Sequence, residues 1–256
     1  MPIQNNLHTA LQELQALQSR SQSHSAADDF AKYYKANTSL LKNRNSANLM
    51  LQISEALQSE PDIAGKIRGK RCIHQGNKHQ RTALFPSKKA NGTIQLESQL
   101  ELAYAIDLER NSQVLTYRAQ PLKIPLPGNR FAFPDFLLVF LNGSIEIHEV
   151  KPSKSALTSD QIEKFSIINS ILSNLGIEFK IIDTSELQHL ADLDKLLMHY
   201  ARGNSSTWNH LQLELAIELI GEKNVTPKDA YDALTKNNLP PQIFDYLWFH
   251  KILGAH

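Results

Sequence analysis

The sequence predicts a mixed α/β fold, and three observations support that prediction. An unbroken apolar run at 136–141 indicates a strand that is buried on both faces. The asparagine–glycine pair at 142–143 is a strong hairpin signal, so 144–151 is expected to return as the neighbouring strand. A helix over 159–175 and a strand over 177–183 follow, and this order usually places two parallel strands in one sheet.

Helical segments are expected before and after this sheet in the chain, so three domains are predicted. Residues 1–62 carry apolar side chains at helical spacing and are predicted to form a helical N-terminal extension. Residues 63–184 hold the sheet, which is preceded by a helix that Ser98 can cap and by a strand at 114–119. Residues 185–256 contain helical patterns and no comparable strand, so they are predicted to form a small helical or winged-helix-like domain.

The apolar pattern and the cysteine content exclude several classes of protein. The longest apolar run is far shorter than the ~20 residues of a membrane helix, and the N-terminus lacks a secretory signal pattern, so no membrane partner is expected. Cys72 is the only cysteine, so no internal disulfide can form and a cytoplasmic location is expected. Cys72, His74 and His79 could ligate zinc, but their spacing is loose and no fourth ligand is evident.

Positive charge is concentrated in one part of the chain. The whole chain has a net charge of +1, yet residues 63–96 contain Lys and Arg but no acidic residue, and 97–256 are acidic. This segregation favours contact with the phosphates of DNA over the alternative of a solvated basic loop. The residues expected to contact DNA are Lys66, Arg68, Lys70, Arg71, Lys78, Arg81, Lys88 and Lys89.

Two carboxylates and a lysine are expected to meet at one end of the predicted hairpin. Asp135 opens the first strand, and Glu149 and Lys151 lie near the end of the second. Residues two apart in a strand project from the same face, so Glu149 and Lys151 should point together while Val150 points to the other side. The hairpin turn then returns these side chains to Asp135.

This set of residues suits the metal-assisted hydrolysis of a phosphodiester. Mg²⁺ prefers oxygen ligands, which the carboxylates of Asp135 and Glu149 and the carbonyl of Val150 could supply. Lys151 could orient a water molecule or offset the charge that develops on the phosphate. The alternative is a surface ion pair beside an ordinary turn aspartate. The order of the residues and the hairpin between them favour the site.

Glu101 could add a third carboxylate from the first turn of the preceding helix, with Glu97 and Asp107 as alternatives. Acidic residues are also common in first turns because they interact favourably with the helix dipole, and from the residues alone this second explanation of Glu101 is slightly favoured. His148 is expected to face away from Glu149, as a histidine that packs within the sheet or lies on the surface.

These residues resemble the motif of a nuclease family. Pro134 and Asp135, followed by Glu149, Val150 and Lys151, are similar to the motif of the PD-(D/E)xK nucleases. Four further stretches narrow the resemblance to the TnsA endonucleases, which are subunits of heteromeric bacterial transposases. These stretches are residues 100–103, 108–109, 114–115 and 120–122.

The resemblance implies a restriction-endonuclease-like mixed sheet flanked by helices, followed by the winged-helix-like domain. It implies an endonuclease that cuts the 5′ ends of a transposon in double-stranded DNA, with two Mg²⁺ ions that Mn²⁺ can replace. The implied partners are TnsB, an integrase-like transposase that acts on the 3′ ends, and TnsC, an ATP-dependent regulator. The family's active site falls on Glu101, Asp135, Glu149 and Lys151, so the resemblance makes Glu101 an expected metal ligand.

Two other functions are kept as alternatives. A stand-alone restriction or repair nuclease of the same superfamily would cut DNA without a partner. A non-catalytic DNA-binding assembly protein would use the basic segment and the helical flanks, and its binding would weaken with salt but would not depend on a metal.

Overall fold

The structure is a computed structural model, and it describes residues 44–71, 82–187, 190–221 and 225–252. The helices predicted within residues 1–43 lie outside the described residues. So do five residues that the sequence singles out: Cys72, His74, Lys78, His79 and Arg81. The chain divides into two compact units with their boundary at residues 190 and 191. The domain boundaries predicted from the sequence, after residues 62 and 184, stay predictions.

The first unit contains the predicted sheet and its helices. In chain order its elements are α1 (Arg44–Gln58), β1 (Ala83–Ser87), β2 (Gly92–Leu96), α2 (Gln99–Arg110), β3 (Val114–Ala119), β4 (Ile124–Leu126), β5 (Arg130–Ala132), β6 (Phe136–Phe140), β7 (Ile145–Lys151), α3 (Ser159–Ser173) and β8 (Glu178–Asp183). The mixed α/β prediction is therefore confirmed, including the helix that Ser98 caps and the hairpin–helix–strand succession.

The main sheet has the strand order β3-β6-β7-β8. β6 pairs antiparallel with both β3 and β7, whereas β7 and β8 run parallel, as the strand–helix–strand order predicts. Gly143 adopts a φ of 82° in the turn between β6 and β7, a conformation that glycine reaches without steric cost. The asparagine–glycine pair therefore does form the hairpin turn.

Helices cover both faces of this sheet. Leu137 and Val139 of β6 belong to a buried cluster that also contains residues of α1 and α3. Phe136 projects from the opposite face, where the ring of Tyr104 from α2 meets it edge-on at a centroid distance of 5.3 Å. Both faces of β6 are buried, as its apolar run predicts. Because α1 shares this core, the described end of the predicted N-terminal extension packs against the sheet.

Two small hairpins were not predicted. β1 pairs with β2 in the basic segment, and β4 pairs with β5 in the proline-rich stretch, where the sequence indicates only turns and breaks. Their strands are three to five residues long and two of them contain proline, which weakens a strand pattern. Asn91 and Gly128 take positive φ angles in the two turns.

The second unit is helical. A 3₁₀ turn at Leu190–Asp192 leads into α4 (Leu193–Gly203), α5 (His210–Ile220), α6 (Pro227–Lys236) and α7 (Gln242–Phe249). Residues 190–221 and 225–252 contain no strand, so the helical form of the prediction is what these residues show, without a β wing. None of the helices within the described ranges is long and apolar enough to cross a bilayer.

Candidate active site

Asp135 lies at one end of the main sheet, one residue before β6. The antiparallel pairing of β6 with β7 brings it level with Glu149. The Oδ2 atom of Asp135 accepts a hydrogen bond of 2.7 Å from the backbone N–H of Val150. Its backbone carbonyl accepts another, also of 2.7 Å, from the N–H of Gln120. Two neighbouring segments therefore fix the position of this carboxylate.

Glu149 and Lys151 project from the same face of β7, as the period of a strand predicts. The Nζ atom of Lys151 lies 2.8 Å from Oε1 of Glu149 and 3.9 Å from Oδ2 of Asp135. It also donates a hydrogen bond of 3.0 Å to the carbonyl oxygen of Val150. The ammonium group of Lys151 thus lies beside the carboxylates of Asp135 and Glu149 and the carbonyl of Val150. These are the three groups predicted from the sequence as metal ligands.

Glu101 lies in the first turn of α2, and its carboxylate is bonded to the start of that helix. Oε1 accepts a hydrogen bond of 3.0 Å from the hydroxyl of Ser98, and Oε2 accepts one of 2.9 Å from the N–H of Glu97. Glu101 therefore does interact with the N-terminal end of its helix, which is the second explanation given for it in the sequence analysis. Glu97 itself pairs with Arg71 at 3.2 Å, and Asp107 lies further along α2.

Burial and mutual repulsion shift the protonation of these groups. Burial, followed by the negative charges of Glu149 and Glu101, raises the pKa of Asp135 well above its ordinary value. Burial also raises the pKa of Glu101. Burial alone would lower the pKa of Lys151, but Glu149, Asp135 and Glu101 together raise it. Three carboxylates close enough to influence one another therefore share a single well-bonded ammonium.

The donor groups fit a hard divalent cation. Carboxylates and a backbone carbonyl are the oxygen ligands that Mg²⁺ takes in proteins, and their net negative charge is what such an ion would offset. In the part of the chain that the structure describes, no three Asp, Glu, His or Cys side chains already form a closed set of ligands. Lys151 lies between Asp135 and Glu149, and Glu101 is bonded within its own helix.

His148 is a packing residue, as its position in the strand predicts. It is 4% exposed, its Nδ1 is hydrogen-bonded to the hydroxyl of Tyr104, and its Nε2 lies 2.7 Å from Oε2 of Glu146. Lys180 also pairs with Glu146 at 2.7 Å. This polar cluster lies on β7 and β8, and the alternation of the strand directs it away from Glu149.

Six of the eight predicted DNA-contacting residues are described, and Arg68, Lys70 and Arg71 form ion pairs with acidic residues. Arg68 pairs with Asp62 at 3.1 Å, and Lys70 pairs with Glu55 at 2.7 Å. Arg71 pairs with Glu97, as described above. The segregation of charge along the sequence is therefore partly cancelled in space, because acidic residues outside the segment fold back onto it.

Lys89 occupies a structural position. Its ammonium donates a hydrogen bond of 2.8 Å to the carbonyl of Leu108 and another to that of Asn111, at the end of α2. Burial lowers its pKa to about 8. The bond to Leu108 satisfies a carbonyl that the helix leaves without a partner, and the carbonyl of Asn111 also accepts the N–H of Val114. The side chain of the neighbouring Lys88 is exposed.

Two residues near the site were not predicted to belong to it, although Gln120 lies in one of the stretches that carry the family resemblance. Lys164 of α3 places its Nζ atom 4.0 Å from Oε1 of Glu149. Gln120 is 2% exposed and adopts a φ of 46°, and its side-chain Oε1 has no hydrogen-bond partner among the described residues. Packing of separate elements brings both to the site, and neither belongs to the motif at 134–151.

Gly69 allows the basic segment to lie close to the backbone of Gln120. A Cβ atom at this position would lie 2.7 Å from the carbonyl oxygen of Gln120, a distance that real Cβ atoms do not tolerate. The next residue, Lys70, donates its backbone N–H to that carbonyl at 2.8 Å. Two backbone hydrogen bonds thus connect Lys70 to Gln120 and Gln120 to Asp135.

Comparison with known protein families gives a match that covers the core of the site. Residues 111–184 match the family model described as TnsA-like endonuclease N terminal. The matched residues include Asp135, Glu149, Lys151 and Lys164, while Glu101 and the helical second unit lie outside them. No curated protein matches the chain. The match supports a nuclease and is limited to this part of the first unit.

Proposed function

We propose that this protein is the DNA endonuclease subunit of a heteromeric transposase, which cuts the 5′ ends of the transposon during cut-and-paste transposition. The observation that carries the proposal is the meeting of Asp135, Glu149 and Lys151 at one end of the sheet, inside the residues that match a TnsA-like endonuclease. The resemblance noted in the sequence extends to residues outside that match, including Glu101.

The proposed chemistry is the hydrolysis of a phosphodiester bond. Asp135, Glu149 and the carbonyl of Val150 would hold the metal, with Glu101 as a further carboxylate. A bound Mg²⁺, for which Mn²⁺ could substitute, would lower the pKa of a water molecule and offset charge on the phosphate. Lys151 would orient that water or donate to the phosphate oxygens, since its ammonium already lies within reach of both strands' carboxylates. A second ion is part of the proposal.

The proposed partners follow from the same family. Double-stranded DNA at the transposon ends is the substrate, TnsB is the subunit that would cut and join the 3′ ends, and TnsC is the regulator that the second unit would contact. The four lysines and arginines at 66–71 would hold the phosphate backbone, which positions DNA without reading its sequence.

The decisive experiment compares the two strands in a reaction reconstituted with the partner transposase. We expect Asp135→Ala to abolish cutting at the 5′ ends while cutting at the 3′ ends continues. The matched control is Asp194→Ala, which removes an exposed carboxylate from α4 and should leave both cuts intact. Continued cutting of both strands by Asp135→Ala would show that Asp135 is not catalytic.

Metal binding provides an independent measurement. Calorimetry with Mg²⁺ and Mn²⁺, with and without duplex DNA, should show binding to the wild type that Asp135→Ala loses and Asp194→Ala keeps. Equal binding by all three proteins, or none by any of them with DNA present, would favour a non-catalytic DNA-binding assembly protein. Cleavage of a defined sequence by the isolated chain would instead favour a stand-alone nuclease.

A further inference from the structure

A second lysine lies beside the carboxylates of the candidate active site. Lys164 is in the second turn of α3, and its Nζ atom is 4.0 Å from the same Glu149 oxygen that Lys151 contacts at 2.8 Å. The two ammonium groups also lie near one aromatic ring, that of Phe165, at 5.2 Å for Lys164 and 6.0 Å for Lys151. Two cations from different elements therefore approach Glu149.

The two lysines differ in how far their donors are already used. The side chain of Lys151 is 22% exposed and bonds to the oxygens of Glu149 and Val150. The side chain of Lys164 is 36% exposed, and its ammonium donates no hydrogen bond to any residue in the described ranges. An ammonium group has three N–H donors. The donors of Lys164 are therefore available to a group that approaches from solvent.

Other lysines of this region are paired more closely. Lys154 lies 2.6 Å from Glu186, and Lys180 lies 2.7 Å from Glu146. At 4.0 Å, the pair between the partly exposed Lys164 and the buried Glu149 is at the limit of an ion pair, and no hydrogen bond joins the two side chains. Packing and ion pairing thus give no strong structural reason for a cation at this point.

An approaching DNA strand does give a reason. Three carboxylates surround the position of the proposed reaction, and they repel a phosphate. The cation of Lys164 lies at the exposed rim of this cluster, where it can offset that repulsion before the phosphate reaches Lys151. A lysine interacts with phosphate as a compact point charge and needs no fixed geometry, which suits a flexible side chain on a helix.

We infer that Lys164 binds the backbone of the DNA strand that is cut, at a phosphate next to the one on which Lys151 acts. The inference rests on the proposed function, because it requires DNA at this end of the sheet. It assigns Lys164 to substrate binding: the chemical step stays with Asp135, Glu149 and Lys151.

The test measures how the affinity for a duplex oligonucleotide depends on salt, with Ca²⁺ in place of Mg²⁺ and the full chain in every case. Loss of one phosphate contact reduces the slope of log K against log salt by about 0.9. We expect this reduction for Lys164→Gln. Lys164→Arg, which keeps the charge, should restore the wild-type slope. Lys154→Gln removes a lysine of the same unit whose side chain is 46% exposed, against 36% for Lys164, and it should not change the slope.

Cleavage kinetics in the reconstituted reaction separate binding from chemistry. Lys164→Gln should raise KM severalfold while kcat stays close to that of the wild type, because the contact is made equally in the ground and transition states. Thermal unfolding of each variant verifies that the fold is kept, which the exposure of Lys164 leads us to expect.

The outcomes distinguish this inference from the proposed function. If the wild type cuts DNA but Lys164→Gln keeps both the slope and KM, the inference alone is wrong. A similar loss of slope in Lys154→Gln also overturns it, since charge anywhere on the unit would then suffice. If the wild type neither binds nor cuts DNA, the proposed function fails and the inference fails with it.

Discussion

Lys151 helps three acidic side chains to share one end of the sheet. Its ammonium reaches Glu149 and Asp135 and also the carbonyl of Val150. Burial, followed by the charges of Glu149 and Glu101, nevertheless raises the pKa of Asp135, so Lys151 offsets these effects only in part. Burying these carboxylates together therefore costs stability, as is common where side chains are arranged for function.

Removal of one charge should make the metal-free fold more stable. Asn at position 135 can still accept the hydrogen bond from Val150, but it ends the repulsion with Glu149 and Glu101. We expect Asp135→Asn to raise Tm at neutral pH without divalent cations, by about 2–4 °C for each kcal/mol of repulsion relieved. Asp194→Asn, at an exposed position in the first turn of α4, is the control and should not gain stability.

The pH dependence of that difference has a defined sign. A carboxyl whose pKa is raised by folding stabilises the protein when protonated, and it loses that contribution as the pH rises from the ordinary value of 3.8 through the raised value. The two proteins should therefore melt alike near pH 4 and diverge at higher pH. A gap in Tm that is constant across pH would show that repulsion at Asp135 is not its cause.

At the same scale, the sequence identifies some of these residues and not others. Asp135, Glu149 and Lys151 can be placed together because the strand period and a hairpin turn fix their geometry locally. Lys164 cannot be found this way, since its approach to Glu149 depends on how α3 packs on the sheet. Gln120 is brought to Asp135 by the pairing of β3 with β6, which no local pattern encodes.

At the scale of helices and strands, prediction from the sequence again depends on whether the signal is local. Long apolar patterns with clear end signals, such as β6 or the helix capped by Thr158, are predicted because burial and capping act within a few residues. The hairpins β1–β2 and β4–β5 escape prediction because short strands gain stability from their contacts more than from their own residues. Pro86, for example, lies within β1 opposite Thr93, on a two-stranded ribbon where one missing N–H is tolerated.

One of these hairpins supports α2 through Lys89, and this leads to a prediction. Lys89→Met would remove two charge-assisted hydrogen bonds to the carbonyls of Leu108 and Asn111. We expect it to lower the free energy of unfolding by about 1–2 kcal/mol in denaturant titrations. It should leave the salt dependence of DNA binding unchanged, because the ammonium is turned into the protein.

Lys88 provides the matched comparison, since it is the adjacent lysine and is exposed. Lys88→Met should change the stability by no more than about 0.5 kcal/mol. If Lys89→Met is as stable as the wild type but weakens DNA binding, Lys89 contacts DNA after all and its bonds to α2 are incidental.

At the scale of the whole molecule, the distribution of charge matters more than its sum. The net charge of +1 conceals a basic segment whose cations are partly paired with Asp62, Glu55 and Glu97. A sequence shows which charges are near one another along the chain, but not which acidic residues fold back onto them. DNA bound to this segment would have to compete with these pairs, most of them exposed and therefore weak.

Neutralising the described part of the basic segment tests its role. The variant with Lys66, Arg68, Lys70 and Arg71 all changed to Gln should bind every duplex sequence more weakly and with a shallower salt dependence. The control removes the same number of charges from exposed positions of the second unit, at Lys195, Lys228, Lys236 and Lys251. Unchanged affinity in the first variant would mean that the segment is a solvated basic surface.

The path from Lys70 through Gln120 to Asp135 has a mechanical consequence. Both of its links are backbone hydrogen bonds, and Gly69 has no side chain that would push the segment away from the backbone of Gln120. Under the proposed function, the DNA-binding segment 66–71 is therefore held at a fixed distance from the catalytic carboxylate of Asp135. Substitutions at 66–71 should then change the affinity for DNA. The position of the cleaved phosphodiester bond should depend on the main chain instead.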